Sequence, residues 1–85
     1  MRWNRLAAEQ GSASAQNSLA SMYVTGQGVI QNMVYAHMWV HIAATNGNEL
    51  GGKFRDVIVK TMTSAQLEKA QNLASKCVAM NYKEC

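Results

Sequence analysis

Two histidines of this 85-residue chain, His37 and His41, have a spacing that is suited to binding a metal ion. They lie four positions apart, so on a helix both imidazoles project from one face, as in helical metal-ligand pairs. No glutamate follows His37 in the metalloprotease arrangement, and no third ligand lies nearby in the sequence. On a helical wheel the pair is opposite an apolar stripe that includes Trp39. The sequence therefore predicts a solvated polar face without metal ligands or cofactor, with adventitious zinc or nickel binding as the alternative.

The two cysteines, Cys77 and Cys85, allow either a disulfide or two separate thiols. Along a continuous helix their separation spans about 12 Å, which exceeds the Cα distance of about 7 Å that a disulfide permits. A bridge forms if the helix ends near Met80 and the chain folds back, and it would indicate an oxidising compartment. The alternative places Cys77 in the core and leaves Cys85 free. Neither cysteine has a neighbouring base, so no catalytic residue is predicted.

Composition limits the class of protein. The chain is 48% apolar and 15% charged, contains no proline and has a net charge of +3. Its length accommodates one domain, and its longest apolar run, residues 33–44, is too short to cross a membrane. The basic start is not followed by the apolar segment of a secretory signal. Lysine and arginine do not cluster as they do in phosphate-binding surfaces, so neither nucleic acid nor membrane is predicted as a partner.

A nine-residue pattern occurs twice, 36 residues apart. Residues 3–11 and 39–47 share the pattern Trp-x-x-(Leu/Ile)-Ala-Ala-x-x-Gly. Its apolar positions recur at helical spacing, and its glycine is suited to ending a helix in the left-handed conformation. A period of this size is typical of helical-hairpin solenoids. The pattern predicts equivalent helices at 1–10 and 33–46, ended by Gly11 and Gly47.

Three more helices are predicted from apolar periodicity and capping residues. The first of them ends at residues 25–28, and its polar face consists of Ser14, Asn17, Ser18 and Ser21. Asn32 is expected to cap the helix over residues 33–46. The last helix begins at a capping box formed by Thr63 and Gln66. The chain is thus predicted to be all-α, with about five helices.

The remaining predicted helix carries two adjacent glycines. Asn48 is expected to cap this helix, and its predicted apolar face consists of Leu50, Phe54, Val57 and Ile58. Gly51 and Gly52 each lower helix propensity by about 1 kcal/mol relative to alanine. They indicate either a frayed start of the helix or its close packing against Trp39.

The segment from Ala7 to Gly47 resembles a Sel-one-like repeat, a helical-hairpin relative of the tetratricopeptide repeat. Ile30 departs from the proline often found there, and Asn32 replaces the commoner aspartate. The resemblance rests on the following residues: Ala13, Ala15, Gln16, Leu19, Ala20, Met22, Tyr23, Gly26, Gly28, Val29, Gln31, Asn32, Ala36, Trp39, Ala43, Ala44 and Gly47.

This resemblance implies an all-α fold, a right-handed α–α superhelix built as a short solenoid of antiparallel helical hairpins. The chain would be a single domain over residues 1–85. Residues 1–10 would be the second helix of a truncated repeat, residues 11–47 a full repeat, and residues 48–85 a C-terminal capping hairpin and tail.

The same resemblance implies a non-catalytic protein–protein interaction or scaffold module of bacterial type. Members occur inside cells and as exported proteins, so a soluble protein is expected, cytoplasmic or, if Cys77 and Cys85 are bridged, exported to the periplasm. The alternative function is small-molecule binding or hydrolysis, because some cysteine-rich relatives are associated with beta-lactam binding.

Another protein or a peptide is the predicted partner. Because a solenoid repeat buries apolar surface against neighbours on both sides, the N-terminal edge is expected to dock another chain, most simply a second copy in a two-fold dimer. The alternative is that the chain is a fragment of a longer solenoid. The candidate partner-binding residues are Trp3 and Leu6 at this edge, and Ser14, Asn17, Ser18 and Ser21 on the polar face.

Overall fold

A computed structural model describes residues 2–47 and 49–82 of the chain, and the side chains of residues 5–47 and 49–82. All regular structure in these ranges is helical: α1 (Arg2–Glu9), α2 (Ala13–Thr25), α3 (Met33–Thr45), α4 (Glu49–Val59) and α5 (Ser64–Ala79). The predicted all-α class and the five helices are therefore confirmed. None of these described helices is long and apolar enough to cross a membrane.

The central helix is α3. Helices α2, α4 and α5 all pack against it, whereas α1 packs against α2. Every residue from Ala36 to Val40 is buried, so α3 is enclosed on all sides rather than along one stripe. Around it, the other helices supply these core residues: Ala8, Ala15, Leu19, Ala20, Ile58, Ala70, Ala74 and Cys77.

Local side-chain caps fix where the helices begin. The Asn32 side chain accepts a hydrogen bond from the Tyr35 N–H at 3.1 Å, which confirms the predicted cap of α3. The predicted capping box of α5 is also present. The Thr63 N–H donates to Gln66 Oε1 at 2.9 Å, and the Gln66 N–H donates to Thr63 Oγ1 at 3.2 Å. Asn48, the predicted cap of α4, lies outside the described residues.

The repeated sequence pattern is also a repeated local structure. The ends of α1 and α3, and likewise the starts of α2 and α4, lie 36 residues apart. Gly11 and Gly47 both have positive φ, 91° and 98°. The Gly11 N–H donates to the carbonyl oxygen of Ala8 at 3.0 Å, and the Gly47 N–H donates to that of Ala44 at 3.2 Å. The two helix ends therefore share this hydrogen bond. The side chain of Trp3 lies outside the described residues, so its equivalence with Trp39 stays a prediction.

Gly51 provides close packing between α3 and α4. A Cβ at this position would lie 3.1 Å from the backbone nitrogen of Ala44, whereas one at Gly52 would meet nothing within 4 Å. The close-packing interpretation therefore holds for Gly51 alone. The nearest atoms belong to the backbone of Ala43 and Ala44 and not to Trp39, the predicted neighbour.

A buried glutamine joins three helices and the chain after α5. Gln16 is completely buried, and its Nε2 donates to the carbonyl oxygen of Ala8 at 3.0 Å. Its Oε1 accepts from Asn46 Nδ2 at 3.0 Å, and Asn46 Oδ1 accepts from the Tyr82 hydroxyl at 3.3 Å. Because both polar ends of Gln16 are bonded, this residue has a structural role.

The end of α5 agrees with the predicted turn. The helix ends at Ala79, and Asn81 and Tyr82 have φ of 56° and 66°, so the chain changes direction there. Cys77 is buried and disulfide-bonded. Cys85 lies outside the described residues, so the Cys77–Cys85 pairing stays a prediction.

Candidate functional site

His37 and His41 lie inside the helix packing. His37 is 2% exposed, and His41 is half-buried. Their rings are stacked, with centroids 6.1 Å apart and an angle of 11° between the planes. The prediction that both histidines face water was wrong, because α4 and α5 cover the side of α3 opposite the Trp39 stripe. The residue pattern of α3 alone does not reveal that α4 and α5 cover this side.

An arginine on α4 contacts His41 of the histidine pair. Arg55 is half-buried, and its Nη1 lies 3.2 Å from His41 Nδ1. A guanidinium carries only donors. The Nδ1 of His41 must therefore accept, which places the proton of the neutral imidazole on Nε2. This lone pair is engaged by a cation and is not free for a metal ion.

The surroundings favour the neutral form of both histidines. Burial lowers the pKa of His37, and the nearby His41 and Arg55 lower it further. Burial likewise lowers the pKa of His41, with Arg55 adding to the effect. At pH 7 the pair therefore supplies neutral hydrogen-bonding groups beside a single positive charge.

Two neighbouring clefts meet at His41. The first, which we call the arginine cleft, has a volume of about 250 Å³ and is lined by His37, His41, Arg55, Val59, Leu67 and Gln71. The second, the apolar cleft, has a volume of about 310 Å³ and is lined by His41, Ile42, Thr45, Ala74, Ser75 and Val78. Among the residues that the structure describes, no aspartate or glutamate lines either cleft.

Two polar groups in the arginine cleft lack the partners expected of them. Nδ1 of His37 is buried without a hydrogen-bond partner. Among the described residues, the one ion pair joins Arg5 and Glu9 at 3.8 Å, so no described carboxylate pairs with Arg55. In the same part of the chain, no three His, Cys, Asp or Glu side chains come together as metal ligands.

Arg55 occupies a position whose counterpart in α2, 36 residues earlier, is apolar. Because α4 begins 36 residues after α2, Arg55 corresponds to Leu19, which is completely buried. Sequence reasoning missed Arg55 and the α5 residues of the cleft, Leu67 and Gln71. The 36-residue offset, applied to α2, is the signal that could have singled out Arg55. Nothing comparable points to Gln71.

The four polar residues predicted to bind a partner are on the surface of α2, away from both clefts. Ser14, Ser18 and Ser21 are exposed, and none of them lines either cleft. Asn17 is half-buried, and its Oδ1 is buried without a hydrogen-bond partner. These residues therefore lie on the outer side of α2 and do not belong to the site around His37 and His41.

The apolar face of α4 is only partly covered. Ile58 is buried and Phe54 half-buried, but Leu50 is 66% and Val57 59% exposed. The predicted apolar face of α4 is therefore covered at Ile58 and left largely uncovered at Leu50 and Val57. Among the described helices, α4 packs mainly against α3, through the side that carries Gly51 and Ile58.

Two comparisons of the sequence with known proteins gave no match. The sequence matches no protein-family model, and no curated protein matches it. The Sel-one-like resemblance therefore remains a prediction drawn from the residues quoted for it.

Proposed function

We propose that this protein is a non-catalytic interaction module that binds another protein or a peptide through the outward faces of α2 and α4. The observation that carries the proposal is the exposure of Leu50 and Val57, 66% and 59%, on the apolar side of α4. Large apolar side chains in one uncovered strip favour a surface that a partner covers. A Sel-one-like scaffold would use its surface in the same general way.

The residues proposed to bind a partner occupy equivalent positions on α2 and α4. Leu50, Phe54 and Val57 follow Ser14, Ser18 and Ser21 by the same 36 residues that separate the starts of the two helices. We call these six residues, together with Asn17, the α2/α4 face. It consists of two helix surfaces: the surface of α2 provides hydrogen-bonding groups, and the surface of α4 provides apolar contact. The i, i+4, i+7 spacing on α4 matches that of anchors in helix-mediated contacts.

The hydrogen bond at His41 favours binding over the alternative hydrolase function. Ser75 and His41 line the same cleft, as a nucleophile and its base would. A base must accept the serine proton through a free imidazole nitrogen. Here Arg55 engages Nδ1 of His41, and the proton lies on Nε2. His41 in this state donates to a ligand rather than accepting a proton from Ser75.

A second copy of the chain is the partner we propose for the N-terminal edge. Helix α1 packs against α2, and Leu6 remains 44% exposed. The test is light scattering at several concentrations, with Leu6→Ser beside the wild type. A dimer weakened by the substitution would support this edge as the contact, and a strict monomer at high concentration would overturn it.

The test of the α2/α4 face is selection of binders from a random peptide library displayed against the purified protein. Peptides enriched on the wild type should be lost on the double variant Leu50→Ser/Val57→Ser. Ile30→Ser is the matched control, because Ile30 is 90% exposed but lies outside α2 and α4. Lack of enrichment, or enrichment that survives the double variant, would overturn the proposal. Nitrocefin turnover by the same preparation would favour the alternative function.

A further inference from the structure

We infer that the arginine cleft binds a carboxylate side chain of a partner peptide, with the next apolar residue of that peptide in the apolar cleft. This inference extends the proposed interaction role, but it does not use the α2/α4 face. The ligand is an extended acidic segment, glutamate or aspartate followed by a residue such as leucine.

The first argument is the uncompensated charge of Arg55. Its guanidinium is half-buried, and its described partner is the neutral ring of His41. Removing a cation from water costs free energy unless an anion compensates it. Within residues 5–47 and 49–82, no carboxylate pairs with Arg55, and no acidic side chain lines either cleft. A ligand carboxylate would supply the missing charge.

The second argument is that the fold does not need an arginine at this position. The equivalent residue of the preceding hairpin is Leu19, which packs in the core. An apolar side chain is therefore sufficient to pack at the position that Leu19 and Arg55 share. Arg55 adds a charge and a planar set of donors, which match a carboxylate in a two-point contact.

The third argument comes from the neutral groups around the guanidinium. His41 carries its proton on Nε2, and Gln71 adds an amide to the lining. His37 is 98% buried in the wall of the cleft with its Nδ1 unpartnered, and buried polar atoms normally have a partner. One cation with neutral donors suits the single charge of a carboxylate. A phosphate, which carries nearly two charges at neutral pH, would meet only one compensating cation.

The neighbouring apolar cleft determines what should accompany the carboxylate. It shares His41 with the arginine cleft, and its apolar lining includes Ile42, Ala74 and Val78. Val78 is 48% exposed, so a bound side chain would cover it. An apolar residue beside the acidic one therefore fills both clefts with one short segment.

The experiment is an NMR titration of the full chain, following backbone amide shifts. The probe is the peptide acetyl-Ala-Glu-Leu-Ala-amide, its twin has glutamine in place of glutamate, and inorganic phosphate is the third ligand. We expect the glutamate peptide to bind about ten- to a hundredfold more tightly than the glutamine twin, the range expected for a hydrogen bond to a charged group. The largest shifts should come from residues that line the two clefts.

Arg55→Leu is the decisive variant, because Leu19 indicates that leucine is accommodated at this position. It should keep the fold but bind both peptides equally weakly, and Arg55→Gln serves as the second variant if Arg55→Leu does not fold. Lys60→Gln is the control, since it removes the same charge from an exposed residue of the chain outside both clefts.

Three outcomes would overturn the inference. They are equal affinity for the two peptides, unchanged affinity in the folded Arg55 variant, and tighter binding of phosphate than of the glutamate peptide. The double variant Leu50→Ser/Val57→Ser should still bind the glutamate peptide. A failure of the arginine cleft is thereby distinguishable from a failure of the α2/α4 face.

Discussion

Gly51→Ala and Gly52→Ala are the same chemical change at adjacent positions of α4, but the structure predicts different effects on the free energy of unfolding. A Cβ on Gly51 would lie 3.1 Å from the backbone nitrogen and 3.4 Å from the Cα of Ala44. Backbone atoms cannot rotate away, so α4 would have to move off α3. A Cβ on Gly52 would meet nothing within 4 Å.

The magnitude follows from two opposing effects. Replacing a helical glycine by alanine stabilises a helix by about 0.8–1.0 kcal/mol, and at Gly52 this gain should appear nearly in full. At Gly51 the same gain is opposed by overpacking, which typically costs about 1–3 kcal/mol. Gly51→Ala should therefore be neutral or destabilising by up to about 2 kcal/mol. For a domain of this size, each kcal/mol shifts Tm by about 4–8 °C.

The assay is thermal and urea unfolding of both variants and the wild type, followed by circular dichroism at one protein concentration. The same concentration is needed because self-association would itself shift Tm. Gly52→Ala should raise Tm, and Gly51→Ala should leave it unchanged or lower it. If Gly51→Ala stabilises the protein as much as Gly52→Ala, the close approach of α3 and α4 is wrong.

Two further predictions concern buried polar groups. Gln16→Ala should lower the free energy of unfolding by about 2–4 kcal/mol, because it opens a cavity in the core and removes the hydrogen bonds that join Gln16 to Ala8 and Asn46. Urea unfolding would measure this. Gln27→Ala, at an exposed residue, should change it by less than about 0.5 kcal/mol, and an equal effect in the two variants would contradict the role of Gln16. The pKa values of His37 and His41 are lowered in the folded state, so below pH 6.5 the unfolded chain binds more protons than the folded one. The free energy of unfolding should therefore be highest above pH 6.5 and fall as the pH decreases towards the lowered pKa values. The double variant His37→Gln/His41→Gln should show a flatter profile. A constant free energy of unfolding of the wild type between pH 7.5 and 5 would contradict this.

Features that depend on short segments could be predicted from the sequence. The Asn32 cap, the Thr63–Gln66 box and the glycine ends of α1 and α3 each involve residues within a few positions of one another. Their hydrogen bonds form inside one turn, so neighbouring residue types are sufficient to specify them. The 36-residue offset also recurs in the positions of the helix ends and starts.

The candidate site could not be predicted in the same way. The burial of His37 depends on α4 and α5, whose contacts with α3 no local pattern reports. The same is true of Leu50 and Val57, which belong to an apolar pattern but which none of the described helices covers. An amphipathic pattern identifies which side of a helix is apolar, and only packing decides how much of that side is covered.

The amino-acid sequence by itself determined the helices, their caps and the repeated turn, because those depend on interactions between residues close in the chain. Only the tertiary structure decided that α3 is enclosed on all sides and that Arg55 meets the two histidines. Those contacts join residues that lie on different helices and far apart in the chain, so no local pattern specifies them. The arginine cleft is therefore a property of the packing, although each of its residues is visible in the sequence.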